Sequence, residues 1–130
     1  MGIIMTTEKD EKPLVYACSG CSNVAQTAND MALSMNTSGA AEMSCVAGVG
    51  GNVKHMIDKA RSGRDIIAID GCSHHCIKRC LEDKGIEPSF HFELTAMGIT
   101  DDDSKPVSLI ESSKALKTIH MACGLASAYH

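Results

Sequence analysis

The chain has 130 residues, of which 44% are apolar and 3% aromatic, with a formal net charge of -4 and no tryptophan. This length predicts a single domain with an aliphatic core, and an acidic chain without a basic stripe has no electrostatic support for binding nucleic acid. No window approaches the roughly 18 apolar residues of a membrane span, and the first residues lack the apolar region of a secretory signal. We therefore expect a cytoplasmic protein that makes no membrane contact.

The N-terminal part of the chain divides into an arm and the beginning of a folded domain. Residues 1–12 are polar and unpatterned, so we expect a flexible arm there and one domain over residues 13–130. Leu14 to Ala17 has the composition of a short buried strand. Ser22 is a suitable N-cap for a following helix, which the polar run Asn36 to Gly39 ends.

The middle of the chain repeats this alternation of strand and helix. A second strand is expected near Glu42 to Val46, followed by a glycine loop at residues 48–51 and a helix over about Asn52 to Arg61. The four consecutive isoleucine and alanine residues within Asp65 to Asp70 indicate a buried strand. The helix after it is predicted over about Ser73 to Lys84.

The C-terminal part adds one strand and one helix. Phe90, Phe92 and Leu94 alternate with polar residues, which indicates a half-buried or edge strand, and Pro106 can open a last helix. Strands that alternate with helices predict a mostly parallel sheet. The expected fold is a single three-layer α/β domain, with four strands and helices on both faces of the sheet.

Seven cysteines are the most unusual feature of the chain, and this topology gathers five of them. Cys18, Cys45 and Cys72 follow predicted strands one, two and three, whose carboxyl ends share one edge of the sheet. Cys21 and Cys76 lie in the first turns of helices that leave the same edge. Helix N-termini favour negative charge and lower thiol pKa values, so this edge is predicted to hold a cation.

The identity of that cation stays open on the residues alone. Zinc takes four tetrahedral ligands, with Zn–S distances of about 2.3 Å, so five cysteines exceed the needs of one structural zinc ion. A surplus of thiolates also suits an iron–sulfur cluster. Thiol–disulfide or sulfur-transfer chemistry with a redox partner protein is a further alternative. We rank zinc binding in a structural, carrier or sensing role first.

Several residues near the candidate ligands have simpler explanations. Cys123 is expected to be a buried packing residue, and Cys80 shares the apolar side of its helix. His74 and His75 lie between two candidate ligands, but adjacent histidines in a first helical turn are usually solvated. Asp70 can accept hydrogen bonds behind the cysteines as an outer-sphere group.

Enzymatic machinery is not recognisable in the sequence. The glycine run at residues 48–51 lacks the third glycine of a dinucleotide fingerprint, because position 53 is Val53. Its backbone N–H groups could still bind a small anion, so an enzyme acting on such an anion is a second alternative. There is no serine nucleophile elbow, and no acid–base pair identifies catalytic residues.

Three segments together resemble a known family. CSGCS after a strand, AEMSCVAGVGGNV in the middle and IDGCSHHCIKRCLEDKGIEP resemble the DGC-domain family, which is named for its Asp-Gly-Cys motif. The match runs from about Pro13 to Gly98, and the chain after Thr100 lies outside it. The resemblance implies a zinc-binding domain and supplies no reaction. By position it favours Cys18, Cys45, Cys72 and Cys76, with Cys21 next.

Overall fold

The computed structural model describes residues 11–125, which form one four-stranded sheet and five helices. The strands are β1 (Leu14–Ala17), β2 (Glu42–Met43), β3 (Ile66–Asp70) and β4 (Phe90–Glu93). The helices are α1 (Asn23–Ser38), α2 (Val46–Gly50), α3 (Lys54–Ala60), α4 (Cys76–Asp83) and α5 (Leu109–Ala122). The predicted arm lies outside the described residues except for its last two positions, 11 and 12. No helix within residues 11–125 is long and apolar enough to cross a membrane.

The sheet is parallel throughout, in the order β2-β1-β3-β4. Leu14 of β1 pairs with Glu42 on one side and with Ile66 on the other, and Ile67 pairs with Phe90 of β4. The chain therefore reverses its direction of travel across the sheet between β1 and β3. In open parallel sheets, ligands bind outside the carboxyl ends of the strands at such a reversal.

Helices cover both faces of the sheet, as the sequence predicts. Val15 and Ala17 of β1 pack into a core formed with α1 and α5, whereas Leu14 and Tyr16 face α2, α3 and α4. Every residue of β1 and β3 is buried. Since both faces of these strands are covered, their sequences are continuously apolar up to the last position. The α/β class with a parallel sheet is confirmed.

The predicted glycine loop at residues 48–51 is wrong, because Val46–Gly50 forms the short helix α2. A Cβ atom on Gly48 would lie 2.6 Å from Cγ of Met56, so this glycine allows α3 to approach α2 closely. Gly51 N donates to Ala47 O and Val53 N donates to Gly48 O. These two amides are used within the helical turns. The predicted second strand is also too long, since β2 ends at Met43.

Two predicted helix starts are also wrong. The helix after β3 begins at Cys76 and not at Ser73, because residues 71–75 form a turn in which His75 has a left-handed φ of 53°. The last helix begins after Ser108, whose hydroxyl accepts a hydrogen bond from Glu111 N at 3.1 Å. Side-chain capping thus fixes this start better than the fixed φ of Pro106.

Candidate metal centre at the carboxyl edge of the sheet

Three cysteines lie near the reversal between β1 and β3. Cys18 directly follows β1, and its backbone N–H donates to Ile69 O at 3.0 Å, which continues the pairing of the two strands. Cys72 lies two residues beyond the end of β3, and Cys76 is the first residue of α4. Parallel pairing therefore joins thiols that are far apart in the sequence.

The electrostatics of Cys18 record this proximity. Burial raises the pKa of the Cys18 thiol, a hydrogen bond from the Gly71 backbone opposes the rise, and the charges of Asp70, Cys76 and Cys72 add to it. The charged form of Cys18 is thus disfavoured by the negative charges of one carboxylate and two neighbouring thiolates. A cation bound beside Cys18 would oppose that effect.

Gly71 allows the turn after β3 to pass under the first turn of α1. A Cβ atom at this position would lie 2.8 Å from Val24 C and 2.9 Å from Ala25 N. These are backbone atoms of a helix whose start is fixed by Ser22, because the Ser22 hydroxyl accepts from Ala25 N at 3.1 Å. The glycine of the Asp-Gly-Cys motif is therefore required by a close backbone approach.

Asp70 joins β3, α4 and β4 through its fully buried carboxylate. Oδ1 accepts from Ile77 N at 2.8 Å, and Oδ2 accepts from Lys78 N at 3.3 Å. His91 Nε2 lies 2.8 Å from Oδ2. The N-cap residue of α4, His75, makes no capping bond with its own side chain. Asp70 therefore caps α4 from the end of the neighbouring strand.

A second imidazole–carboxylate pair lies beside the first. His75 Nε2 is 2.7 Å from Glu93 Oε1, and the Thr95 hydroxyl donates to the other Glu93 oxygen at 2.5 Å. Both hydrogen bonds lower the pKa of Glu93, and the bond from Thr95 has the larger effect. The rings of His75 and His91 meet edge to face, with centroids 4.7 Å apart. The two histidines thus connect the start of α4 to β4.

His91 and Glu93 were missed by the sequence analysis. They are the two polar positions that alternate with phenylalanines on β4, so they lie on one face of an edge strand. Their register opposite Ala68 and Asp70 directs them toward α4. The alternation was a usable signal, but the partner of each residue depends on strand register.

The other two predicted ligands are not part of this group of thiols. Cys21 is exposed and lines a shallow crevice of about 220 Å³ together with Asn23, Gln26 and residues 103–106. Cys45 is also exposed and occupies the N-cap position of α2 without making a side-chain capping bond. Both follow strands, as predicted, and both are exposed.

Cys80 and Cys123 lie against packed elements. Cys80 Sγ would be 3.8 Å from a Cβ atom on Gly50, which places it in the contact between α4 and α2. Cys123 follows α5, where burial, followed by the charge of Asp65, raises the pKa of its thiol to about 11. Since Asp65 precedes β3, Cys123 lies at the opposite end of the sheet from Cys72.

Sulfur donors in this number suit zinc and other thiophilic metals, and their mutual repulsion is of the sign that a cation offsets. Their present spacing is not that of a finished coordination shell. Within residues 11–125, no group of three or more His, Cys, Asp or Glu side chains is arranged to hold a metal ion. The chemistry of the donors therefore fits a metal, and binding would require the thiols to draw together.

Comparison with known proteins agrees with the resemblance found in the sequence. The model of the DGC domain matches residues 14–119. The chain is 56% identical over 90 residues to the anaerobic and virulence modulator AnvM of Pseudomonas aeruginosa, an alignment that covers 69% of each protein. No solved structure matches the chain. From the extent of these matches, the chain belongs to the DGC domain family.

Proposed function

We propose that this chain is a small cytoplasmic metal-binding protein that holds Zn²⁺ through the thiolates of Cys18, Cys72 and Cys76. The observation that carries the proposal is that Cys18 continues the pairing of β1 with β3, at the edge where the turn after β3 presents Cys72 and Cys76. A divalent cation binds thiolates and releases the thiol protons. The reducing cytoplasm keeps such thiols free to bind.

The two exposed cysteines are the candidates for a fourth ligand. Cys21 is three residues from Cys18 in the connection that leads into α1, and Cys45 follows β2 at the same edge. Either thiol, or a water molecule, would complete tetrahedral zinc. An open fourth position suits a carrier or sensor, and a closed one suits a structural ion.

The related protein from Pseudomonas aeruginosa is named an anaerobic and virulence modulator. This name supports a regulatory role for the present chain, in which occupation of the thiol centre would report on metal supply or oxidation. In that role the bound ion would be exchangeable, which favours the open form of the site.

A metal inventory of protein purified without chelators tests the proposal. We expect about one zinc per chain in the wild type and less than half of that in Cys72→Ser, because the ligands of a small zinc site act together. Cys123→Ala is the matched control, since it removes a thiol from the opposite end of the sheet and should keep the metal. A wild-type protein with little zinc and freely titratable thiols would refute the proposal.

The second candidate function is an iron–sulfur or thiol-redox protein. It is favoured by the word "anaerobic" in the relative's name and by the free state of all seven cysteines in residues 11–125. Anaerobic purification followed by absorption spectroscopy separates the candidates, because a colourless, iron-free product excludes a cluster. Peptide mapping after mild oxidation tests the thiol version, which requires a disulfide between two of Cys18, Cys72 and Cys76.

A further inference from the structure

We propose that Asp70 and His91 are positioning residues of the thiol centre, which fix the helix end that presents Cys76 and place a buried negative charge behind the thiols. The inference rests on the proposed metal-binding function of the same site. It assigns the aspartate of the Asp-Gly-Cys motif and a histidine from a different strand to one task. Neither residue needs to contact the metal.

The start of α4 is capped by Asp70. The first amides of a helix have no hydrogen-bond partners within the helix. The side chain of His75, at the N-cap position, does not accept a hydrogen bond from any of them. Asp70 accepts hydrogen bonds from the amides of Ile77 and Lys78 instead. Because Asp70 precedes Cys72 by two residues and caps the turn that begins at Cys76, it closes residues 70–78 into one loop.

This closed loop controls the separation of two candidate ligands. In the sequence, Cys72 and Cys76 both lie between Asp70 and the residues whose amides donate to it, Ile77 and Lys78. The turn also contains His75 in a left-handed conformation, which non-glycine residues adopt rarely. A strained backbone persists only where its surroundings enforce it, and here the hydrogen bonds that Asp70 accepts from Ile77 and Lys78 enforce it.

The carboxyl group of Asp70 is also buried. The side chain of Asp70 is 1% exposed, and a buried carboxylate stays charged only when it is well bonded. Two amides and the ring of His91 supply those bonds. Asp70 lies two residues before Cys72 and accepts from the amide that directly follows Cys76, so its carboxylate lies close to a cation held by these two thiols and attracts it. In a water-poor position this attraction is stronger than at the surface.

The neighbouring pair of His75 and Glu93 provides a matched control. It has the same chemistry and lies at the same edge, but the Glu93 side chain is 20% exposed. The Glu93 carboxylate accepts from a hydroxyl and an imidazole, and from no amide of α4. Its removal should therefore leave both the cap and the buried charge in place.

The experiment compares Asp70→Asn with Glu93→Gln. Asparagine keeps an oxygen that can accept from Ile77 N and removes the charge. Loss of an outer-sphere partner typically weakens metal binding about 10–100-fold, so we expect a loss of that size in Zn²⁺ affinity for Asp70→Asn, measured by chelator competition. Glu93→Gln should bind as the wild type does. Zinc affinity equal to the wild type in Asp70→Asn would overturn the inference.

Two further measurements separate positioning from general stability. With Co²⁺ in place of zinc, the sulfur-to-cobalt absorption should shift in Asp70→Asn and stay unchanged in Glu93→Gln, since only the former changes the field at the thiols. His91→Ala should reduce zinc affinity, and His91→Gln should recover part of it because its amide can donate to Asp70. An unshifted cobalt spectrum, or no recovery by glutamine, contradicts the roles assigned. The His91 variants carry the test if Asp70→Asn does not fold.

Failure of the proposed function is distinguishable from failure of this inference. If the wild type binds no metal, the proposed function fails, and the inference is judged by amide hydrogen exchange in the metal-free protein. Asp70→Asn should then speed exchange at Lys78, because asparagine keeps an acceptor for Ile77 N and loses the one for Lys78 N, whereas Glu93→Gln should not. Unchanged protection of the Lys78 amide in Asp70→Asn overturns the inference independently of any metal.

Discussion

The two ends of the sheet balance their charges in different ways. At the amino end, the side chain of Arg64 is only 8% exposed. Its guanidinium group contacts Glu11 and Glu42 and donates two hydrogen bonds to the carbonyl of Lys12. At the carboxyl end, the acids of β3 and β4 are bonded to amides, imidazoles and one hydroxyl. The amino end therefore contains its own permanent cations, and the carboxyl end, with its thiols, is the end at which we propose that a cation binds.

The same residue type behaves differently at the two ends. Burial raises the pKa of both Cys18 and Cys123. Only Cys18 is also affected by other thiols, because it lies at the strand reversal, whereas Cys123 has the single charge of Asp65 nearby. A cysteine in this fold is thus a candidate ligand because of its position relative to the strand ends, and burial alone does not make it one.

The largest expected effect on stability comes from replacing a glycine by alanine at the carboxyl end of the sheet, Gly71, compared with one at the amino end, Gly63. Gly71→Ala forces a Cβ atom to within 2.8–2.9 Å of the α1 backbone, so we expect a loss of about 3 kcal/mol in the free energy of unfolding. Gly63→Ala meets no atom within 4 Å but strains a φ of 93°, which costs about 1 kcal/mol. Urea unfolding measures both, and equal losses would show that the close approach at Gly71 is unimportant.

The next effect isolates the amino end. Arg64→Met keeps an apolar stem but removes the donors to Lys12 O and the pairing with Glu42. We expect a loss of about 1.5 kcal/mol in the free energy of unfolding, because a carbonyl and a carboxylate lose charged donors. The zinc content should equal that of the wild type. A loss of metal together with stability would mean that the two ends are coupled.

The buried strands and the edge that they share were predictable from the sequence. Ile66 to Ile69 form a run that only a doubly covered strand accommodates, and Ser22 has the chemistry of an N-cap. Both signals are local, so neighbouring residues suffice to interpret them. The convergence of Cys18 with Cys72 then follows from the rule that parallel strands end at one edge.

The remaining features depend on tertiary partners. Gly48 had the appearance of a loop residue, but its role is set by Met56 of the next helix. The start of α4 at Cys76 depends on Asp70, which caps the helix although His75 occupies the N-cap position. The pairing of Asp70 with His91 depends on the register of strands 21 residues apart. No local pattern encodes these contacts.

A smaller effect concerns Cys123 in alkaline solution. Its folded pKa of about 11 lies above the value of a free thiol, about 8.5. The protonated Cys123 thiol therefore contributes its full stability to the fold below the pKa of the unfolded chain. This contribution is lost as the pH rises through the pKa of the folded protein. Between pH 9 and about 11, metal-free Cys123→Ala should lose less stability than the wild type. Parallel curves of unfolding free energy against pH would contradict this explanation.

The smallest effect tests the amino end in acid. A hydrogen bond from Lys59, followed by one from Arg64, lowers the pKa of Glu42. A folded pKa below the unfolded one gives stability above the unfolded value, near 4.3, that is lost as the pH falls through the folded value. Metal-free Glu42→Gln should thus show a shallower acid limb in its melting temperature. Because the Glu42 side chain is 40% exposed, salt should shrink the difference. If the difference between Glu42→Gln and the wild type persisted in high salt, the ion pairs of Glu42 would lie in a drier environment than this exposure implies. The amino end would then resemble the carboxyl end, where the acidic side chains are more buried.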